Sequence, residues 1–294
     1  MNAAWFLRFL SSCLVFLALS GSAHTAYASP FTPEPGHGYA KVWLRWHWGF
    51  LEYADADGEL VDIGDYHEVF VSTYGDLGLV DGLALFWHTD LVRVFTLEDP
   101  RDGDVESHVA PGDPALGLRF RFLQVQGFAM SVESSLRVPF ASSAGQQEVF
   151  QRDAPNPRIG TLRIGAGVFE IDALLSVGHA FDGWYLAASL GYQWRSGGFA
   201  DRLLWVGEGG VEFGAHWTVR ARASGAHSLR EGDEPPASSP SGIGNRVSWT
   251  GLALEVDYEL SRGWLLGIST ETGLGGVRSR SGGTILNVSL ATVY

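Results

Sequence analysis

The chain has 294 residues, including 38 Gly, 11 Trp, 17 Phe and 9 Tyr, while charged residues make up only 18%. Soluble domains carry roughly 25% charged residues and about half this share of glycine, so the balance favours an all-β membrane class. A formal net charge of −13 argues against nucleic acid as a partner, because its binders carry clustered Lys and Arg.

Residues 1–28 read as a cleaved signal peptide. Arg8 is their only charge, Leu10 to Leu19 form the apolar core, and Ala26-Tyr27-Ala28 is a small-x-small cleavage site. A core of about ten residues is too short to span a bilayer as a helix. Cys13 follows Leu10-Ser11-Ser12 in the manner of a lipoprotein box, but the apolar run continues past it, against lipidation. Cleavage removes Arg8 and no acid, leaving 20 − 1 = 19 basic residues against 33 acidic. It also removes the single cysteine, so the cleaved chain has no disulfide, thiolate chemistry or Cys-ligated metal. The Pro-rich segment 29–38 cannot form a strand of its own. It is too short for a plug domain but long enough to tuck into a periplasmic mouth.

Residues 39–294 then show repeated stretches of period two. In Tyr39–Phe50 the even positions Ala40, Val42, Leu44, Trp46, Trp48 and Phe50 are apolar, against Lys41, Arg45 and His47. In Phe128–Phe140 the apolar set Phe128, Met130, Val132, Leu136, Val138 and Phe140 alternates with Ser131, Glu133, Ser135 and Arg137. Such alternation puts one face against hydrocarbon or core and the other against water or a lumen. Twelve stretches qualify: about 39–51, 66–79, 83–95, 115–123, 128–140, 165–181, 184–195, 203–213, 217–227, 247–260, 264–274 and 284–294. An even count is what a single-chain outer-membrane barrel requires.

The connections sort by length. Short ones at Val80–Gly82, Gln124–Gly127, Asp182-Gly183, Gly214–His216 and Ser261–Gly263 alternate with long ones at 52–65, 96–114, 141–164, 196–202, 228–246 and 275–283. Short periplasmic turns opposite longer external loops are characteristic of these barrels. Aromatics follow several short turns at once: Phe128, Trp184, Trp217 and Trp264. These would form the periplasmic interface belt, with Trp48, Trp194 and Trp249 in the outer one. The chain ends on Leu286, Val288, Leu290 and Tyr294, a lipid face expected to close the seam against Tyr39–Phe50 and to serve as the insertion signal.

Folding each hairpin about its short turn places Arg119 opposite Glu133, Glu170 opposite Arg195, and Glu208 opposite Arg222 in the lumen, with no like charges face to face. Directly opposed side chains lie about 5 Å apart and interact, so the lumen charges look mutually neutralising. Glu255, Asp257, Glu259 and Glu271 form an acidic wall uncompensated within its own hairpin, with pairing to Lys41 or Arg45 across the lumen as the simpler reading and cation attraction as the other. His88 and Asp90 share a face beside Ser72 and Tyr74, but Tyr74, not Ser72, falls opposite His88, against a hydrolytic relay. The external loops hold Asp55, Asp57, Glu59, Asp62, Asp65, Glu98, Asp99, Asp102, Asp104 and Glu106, without the spacing of a calcium loop. Their partner would be solvent, or lipopolysaccharide through diffuse divalent ions. There is no phosphate loop, dinucleotide fingerprint or metal-spaced His pair, so no cofactor or metal is called for.

Three motifs carry a family resemblance. Ser72-Thr73-Tyr74-Gly75-Asp76-Leu77-Gly78-Leu79-Val80-Asp81-Gly82-Leu83-Ala84-Leu85 resembles the second hairpin of a family of bacterial outer-membrane barrels. These are described as transporters of the meta-pathway of phenol degradation, akin to the fatty-acid and toluene uptake channels. That hairpin typically reads Tyr-Gly-Leu-Thr-Asp-Arg-Leu-Thr-Leu; here Asp76 is inserted and Val-Asp-Gly replaces Thr-Asp-Arg. Gly112-Asp113-Pro114-Ala115-Leu116-Gly117-Leu118-Arg119-Phe120 and Leu136-Arg137-Val138-Pro139 are similar to two further stretches of the family. The resemblance implies uptake of small hydrophobic or aromatic compounds, and it carries over no substrate-contacting residue. The expectation is therefore a closed antiparallel twelve-stranded transmembrane β-barrel in the bacterial outer membrane. It would act as a passive channel, with the bilayer, lipopolysaccharide and the barrel-insertion machinery as partners. A structural barrel with a plugged lumen and a membrane-embedded hydrolase are the alternatives.

Overall fold

The computed structural model describes residues 30–54, 60–99, 103–141, 146–150, 158–163, 165, 167–229, 245, 248–273 and 284–294. The signal segment 1–28, the loop acids Asp55, Asp57, Glu59 and Asp102, and most of the loop 228–246 lie outside them. Fifteen strands are described: β1 (Gly38–Ala54), β2 (Leu60–Val80), β3 (Leu83–Glu98), β4 (Val105–Ala110), β5 (Ala115–Val125), β6 (Phe128–Arg137), β7 (Gln146–Phe150), β8 (Arg158–Arg163), β9 (Glu170–Phe181), β10 (Trp184–Arg195), β11 (Arg202–Phe213), β12 (Trp217–Ser228), β13 (Trp249–Ser261), β14 (Trp264–Gly273) and β15 (Thr284–Val293).

Twelve of these close a ring in chain order, β1-β2-β3-β5-β6-β9-β10-β11-β12-β13-β14-β15 and back to β1, every neighbour antiparallel. Closure runs through β1 and β15, from Tyr39↔Val293 to Trp48↔Thr284. The outside is apolar and exposed: Leu44 and Trp46 are each 51% accessible. The buried groups include Lys41, Glu68, Asp76, Arg119 and Asp257. That polarity is the inverse of a water-soluble protein. It is stable only where hydrocarbon surrounds the wall and every backbone group is paired within the ring.

The twelve sequence stretches and the twelve barrel strands coincide within a few residues, with local departures. β1 and β2 continue to pair as far as Ala54↔Leu60, so the expected loop 52–65 is mostly an extended hairpin. β4 and the separate β7–β8 hairpin fall in stretches expected to be loops, while β9 starts at Glu170 rather than 165. Beyond Arg137 the chain continues alongside the residues that precede β5: Val138 N–H donates to Pro114 O at 2.9 Å, and Ala141 N–H to Asp113 Oδ1 at 2.8 Å. Two of the motif stretches thus meet, and Asp113 acts as a structural clamp.

β3 carries the main irregularity. Its lower half pairs with β5 and its upper half with β4. Between them Ser72↔Asp90 steps to Val71↔Val92, leaving Leu91 without an opposite residue. This bulge flips the pleat. Ala84 and Phe86 are buried on the lumen side below it, and Arg93, Phe95 and Leu97 above it.

Candidate functional site

The lumen is crossed by two ionic clusters. In the first, Lys41 on β1 reaches over β15 and β14 to Glu255 on β13, with Nζ–Oε2 at 2.7 Å. Arg220 on β12 holds Glu255 at 2.5 Å and also pairs with Asp257. The intervening strands turn small residues inward to make room. A Cβ on Gly267 would lie 2.3 Å from both Asp257 Oδ1 and Ser289 Oγ. Beside this cluster Tyr185 O–H donates to Glu208 at 2.5 Å.

The second cluster centres on Arg119 of β5, which is 1% exposed. Its Nε donates to Glu133 on β6 at 3.0 Å, its Nη1 lies 3.5 Å from Asp76 on β2, and its Nη2 is 3.4 Å from the Tyr74 hydroxyl. The rings of Tyr74 and Tyr39, 6.3 Å apart, join the two clusters into a septum. Below it Phe86, Leu265, Ala291 and Val293 pack with these tyrosines and Trp43 into an apolar floor. Such groups tolerate burial because each charge has an opposite partner and hydrogen bonds.

Further ladders line the lumen above. Arg45 binds Glu271 at 3.1 Å and donates to Asn287 at 3.1 Å, with its guanidinium 4.5 Å from the Phe70 ring centroid. Arg93 pairs with buried Glu68, and Arg195 joins Glu170 at 2.9 Å while Arg137 approaches the same carboxylate at 3.2 Å.

The periplasmic mouth is crossed by residues 30–37. Pro35 bridges to Gly78 of β2, Gly36 N–H donates to Gly78 O and Gly78 N–H to His37 O, both at 2.9 Å. Arg121 of β5 reaches Thr32 O at 3.4 Å. Pro30 ends on β9, with its Cγ 2.8 Å from where a Cβ on Gly178 would stand. Gly78 is required here, since its Cβ would fall 2.2 Å from Glu34 O. We call this segment the strap.

The sequence-derived site residues fall as follows. Arg119 and Glu133, Glu170 and Arg195, and Glu208 and Arg222 are register partners. The first two pairs are in ionic contact, while Glu208 takes its hydrogen bond from Tyr185. Glu255, Asp257 and Glu271 of the acidic wall are neutralised by Lys41, Arg220 and Arg45. Glu259 stands apart, 3.9 Å from His216. The part of Arg220 was missed: it lies on the neighbouring hairpin, and only the β12–β13 register, Arg220↔Glu255, brings it in.

Phe128, Trp184, Trp217 and Trp264 follow their turns on the outward parity, with Trp184 42% and Trp217 50% exposed. Trp48 and Trp194 also face out. Trp249 does not belong with them: it shares the parity of Gly251, Ala253 and Glu255, and its ring lies over Gly251. Leu252 and Leu254, 44% and 49% exposed, fix that alternation. Leu286, Val288 and Leu290 sit opposite Trp46, Leu44 and Val42, and Tyr294 O–H donates to Asp76 O at 3.2 Å. Ser72 bonds Asp90 directly at 2.5 Å, while His88 stacks on Trp43 with ring centroids 6.1 Å apart. No Ser-His-Asp relay is assembled from these residues.

No family model matches the chain, and no curated protein matches it in sequence. Among solved structures, an outer membrane channel from Pseudomonas putida F1 is similar with a TM-score of 0.59 at 13% identity, covering 93% of this chain and 100% of that one. NanC porin is similar with a TM-score of 0.50 at 7% identity, covering 85% of this chain and 98% of that one. At such identities the likeness is one of fold, and the fold is the outer-membrane β-barrel.

Proposed function

We propose that the chain is a passive channel of the bacterial outer membrane for small, uncharged hydrophobic or aromatic solutes. The observation that carries this reading is the lumen itself, where the charges of the septum and its neighbouring ladders are drawn into internal pairs over an aromatic floor of Tyr39, Trp43, Tyr74 and Phe86. A wide pore of one charge sign steers ions by its field; a lumen of paired charges offers ions no such field. The resemblance to the phenol-pathway barrels points to the same solute class, and the likeness of fold to an outer membrane channel and to a porin supports the transport reading. The surrounding partners are the bilayer and lipopolysaccharide, with the barrel-insertion machinery reading the strand Leu286, Val288, Leu290 and Tyr294.

The septum and strap also suit a structural barrel that conducts nothing, and one assay separates the two. Uptake of radiolabelled toluene, phenol and a fatty acid is measured in lipopolysaccharide-intact cells with and without the protein, beside single-channel recording in planar bilayers. Faster uptake of at least one solute with little ion current is expected. Uptake at the vector-only level for every solute, with no current, would leave the structural reading in its place.

A further inference from the structure

Three neighbouring strands form a slot on the lumen face, one pleat below Glu133. Ala129 of β6, Gly178 of β9 and Ala187 of β10 share one register row, and Ser131, Ser176 and Ser189 share the next row up. All six are buried. The slot holds the end of the strap. The ring of Pro30 lies on Gly178, with Cγ and Cδ 2.8 and 3.1 Å from where a Cβ would stand. Any side chain at position 178 would push that ring out.

Two hydroxyls mark the slot as more than a place for the chain to pack. Ser176 and Ser189 satisfy each other, Oγ to Oγ, at 2.7 Å. Ser131 is 0% exposed on the adjoining strand, and its Oγ has no hydrogen-bond partner among the described residues. Neither has Oγ1 of buried Thr32, two residues along the strap from Pro30. Thr32 O accepts from Arg121, the register partner of Ser131, so both hydroxyls belong to the same corner of the mouth. Buried hydroxyls without partners are costly and rare. Their natural complement is a ligand group that both gives and accepts a hydrogen bond.

Charge and shape narrow that ligand. The ionic groups beside the slot are already engaged, Glu133 by Arg119 and Arg121 by Asp81. A charged guest would therefore lie among groups with no counter-charge to spare, and the guest is neutral. Its body is a small apolar ring, because that is what the strap itself puts there. The strap is also built to let go at this end. Its anchor at Gly36, His37 and Gly78 is a pair of 2.9 Å backbone bonds, whereas Pro30 and Pro33 have no N–H to donate and Arg121 meets Thr32 O at a long 3.4 Å.

We propose that the slot over Ala129, Gly178 and Ala187 is a binding site for a small neutral ring compound bearing a hydroxyl, which Ser131 receives, and that Pro30 occupies the site as a tethered stand-in. The inference narrows the solute class of the proposed channel, yet its test reads binding, so the two can fail separately. The full-length barrel in lipid nanodiscs is titrated with 4-fluorobenzyl alcohol and with 4-fluorotoluene, followed by fluorine NMR against empty nanodiscs. We expect the alcohol to bind about fivefold more tightly, the worth of one hydrogen bond. Ser131→Ala should remove that preference and leave 4-fluorotoluene unchanged; Ser131→Thr, which keeps the hydroxyl, should retain it. Pro30→Gly should tighten both probes by a common factor of about three, because the site no longer has to be vacated. Equal affinities in the unmodified barrel would overturn the assignment, as would a preference that survives both Ser131→Ala and Thr32→Val. Weaker binding of both probes to Pro30→Gly would overturn the stand-in. A barrel that shows the preference but takes up no solute would keep the site and refute the channel.

Discussion

Replacing Arg119 by Leu tests whether the septum is held by paired charges or by packing. Arg119 is 1% exposed and Asp76 is 0% exposed, and Glu133 and the Tyr74 hydroxyl complete the cluster. Leucine preserves part of the side-chain volume but leaves two carboxylates facing each other without a cation. Removing one member of a buried pair costs about 3–5 kcal/mol, because the remaining charge is stranded in a poorly solvating site. At roughly 2–4 °C per kcal/mol for a chain of this size class, the unfolding midpoint should fall by about 10 °C. The assay is the temperature at which the folded gel band gives way to the unfolded one, supported by urea unfolding in vesicles. A triple variant, Arg119→Leu with Asp76→Asn and Glu133→Gln, should regain at least half of the loss, since neutral isosteres remove the stranded charges. A drop of less than about 1 kcal/mol would refute the reasoning, because a buried cation with three partners cannot be that cheap to delete. Failure of the triple variant to recover would refute it too, and would assign the effect to packing against Phe86.

Three other outcomes follow from the same structure. A Pro30→Cys, Gly178→Cys pair in a cysteine-free background should lock the strap across the mouth and suppress solute uptake, with dithiothreitol restoring it; equal uptake in both states would detach the strap from passage. Val288→Arg places a cation on the lipid face of the closing strand, where it should destabilise the barrel by about 2–4 kcal/mol near mid-membrane, read by urea unfolding in vesicles. His88→Ala should leave any background ester hydrolysis unchanged, since His88 stacks on Trp43 and Ser72 is engaged by Asp90; a measured loss would reopen the hydrolase reading.

The ring of twelve strands was legible because a barrel wall imposes one rule along its whole length, alternate residues facing lipid and lumen. Arg119↔Glu133 was expected from folding the hairpin, yet the tight turn at Gln126-Gly127 alone would oppose Arg119 to Ser134; the register shift between Arg121 and Leu123 is what brings Glu133 opposite. The rule fails where the pleat is interrupted. The bulge at Leu91 inverts the faces of β3, so the phase set by Ala84 and Phe86 does not carry to Arg93 and Phe95. Trp249 was misassigned because its distance from the turn was weighed and its parity was not. Contacts between strands that are not neighbours were out of reach. Lys41 meets Glu255 only because Gly267 and Ser289 leave space between them, a fact of three-dimensional packing.

The strap and the closing seam share their atoms. Gly38 and Tyr294 exchange backbone hydrogen bonds at 2.9 and 3.0 Å, and His37, the last residue of the strap, places Nδ1 3.3 Å from Tyr294 O. The strap's other anchor, Gly78, lies on β2, the strand next to the seam. Until β15 arrives, part of the strap's footing does not exist. The carbonyl of Tyr294 therefore serves two neighbours at once, closing the wall through Gly38 and steadying the end of the strap through His37, so a change at the last residue reaches both the seam and the mouth.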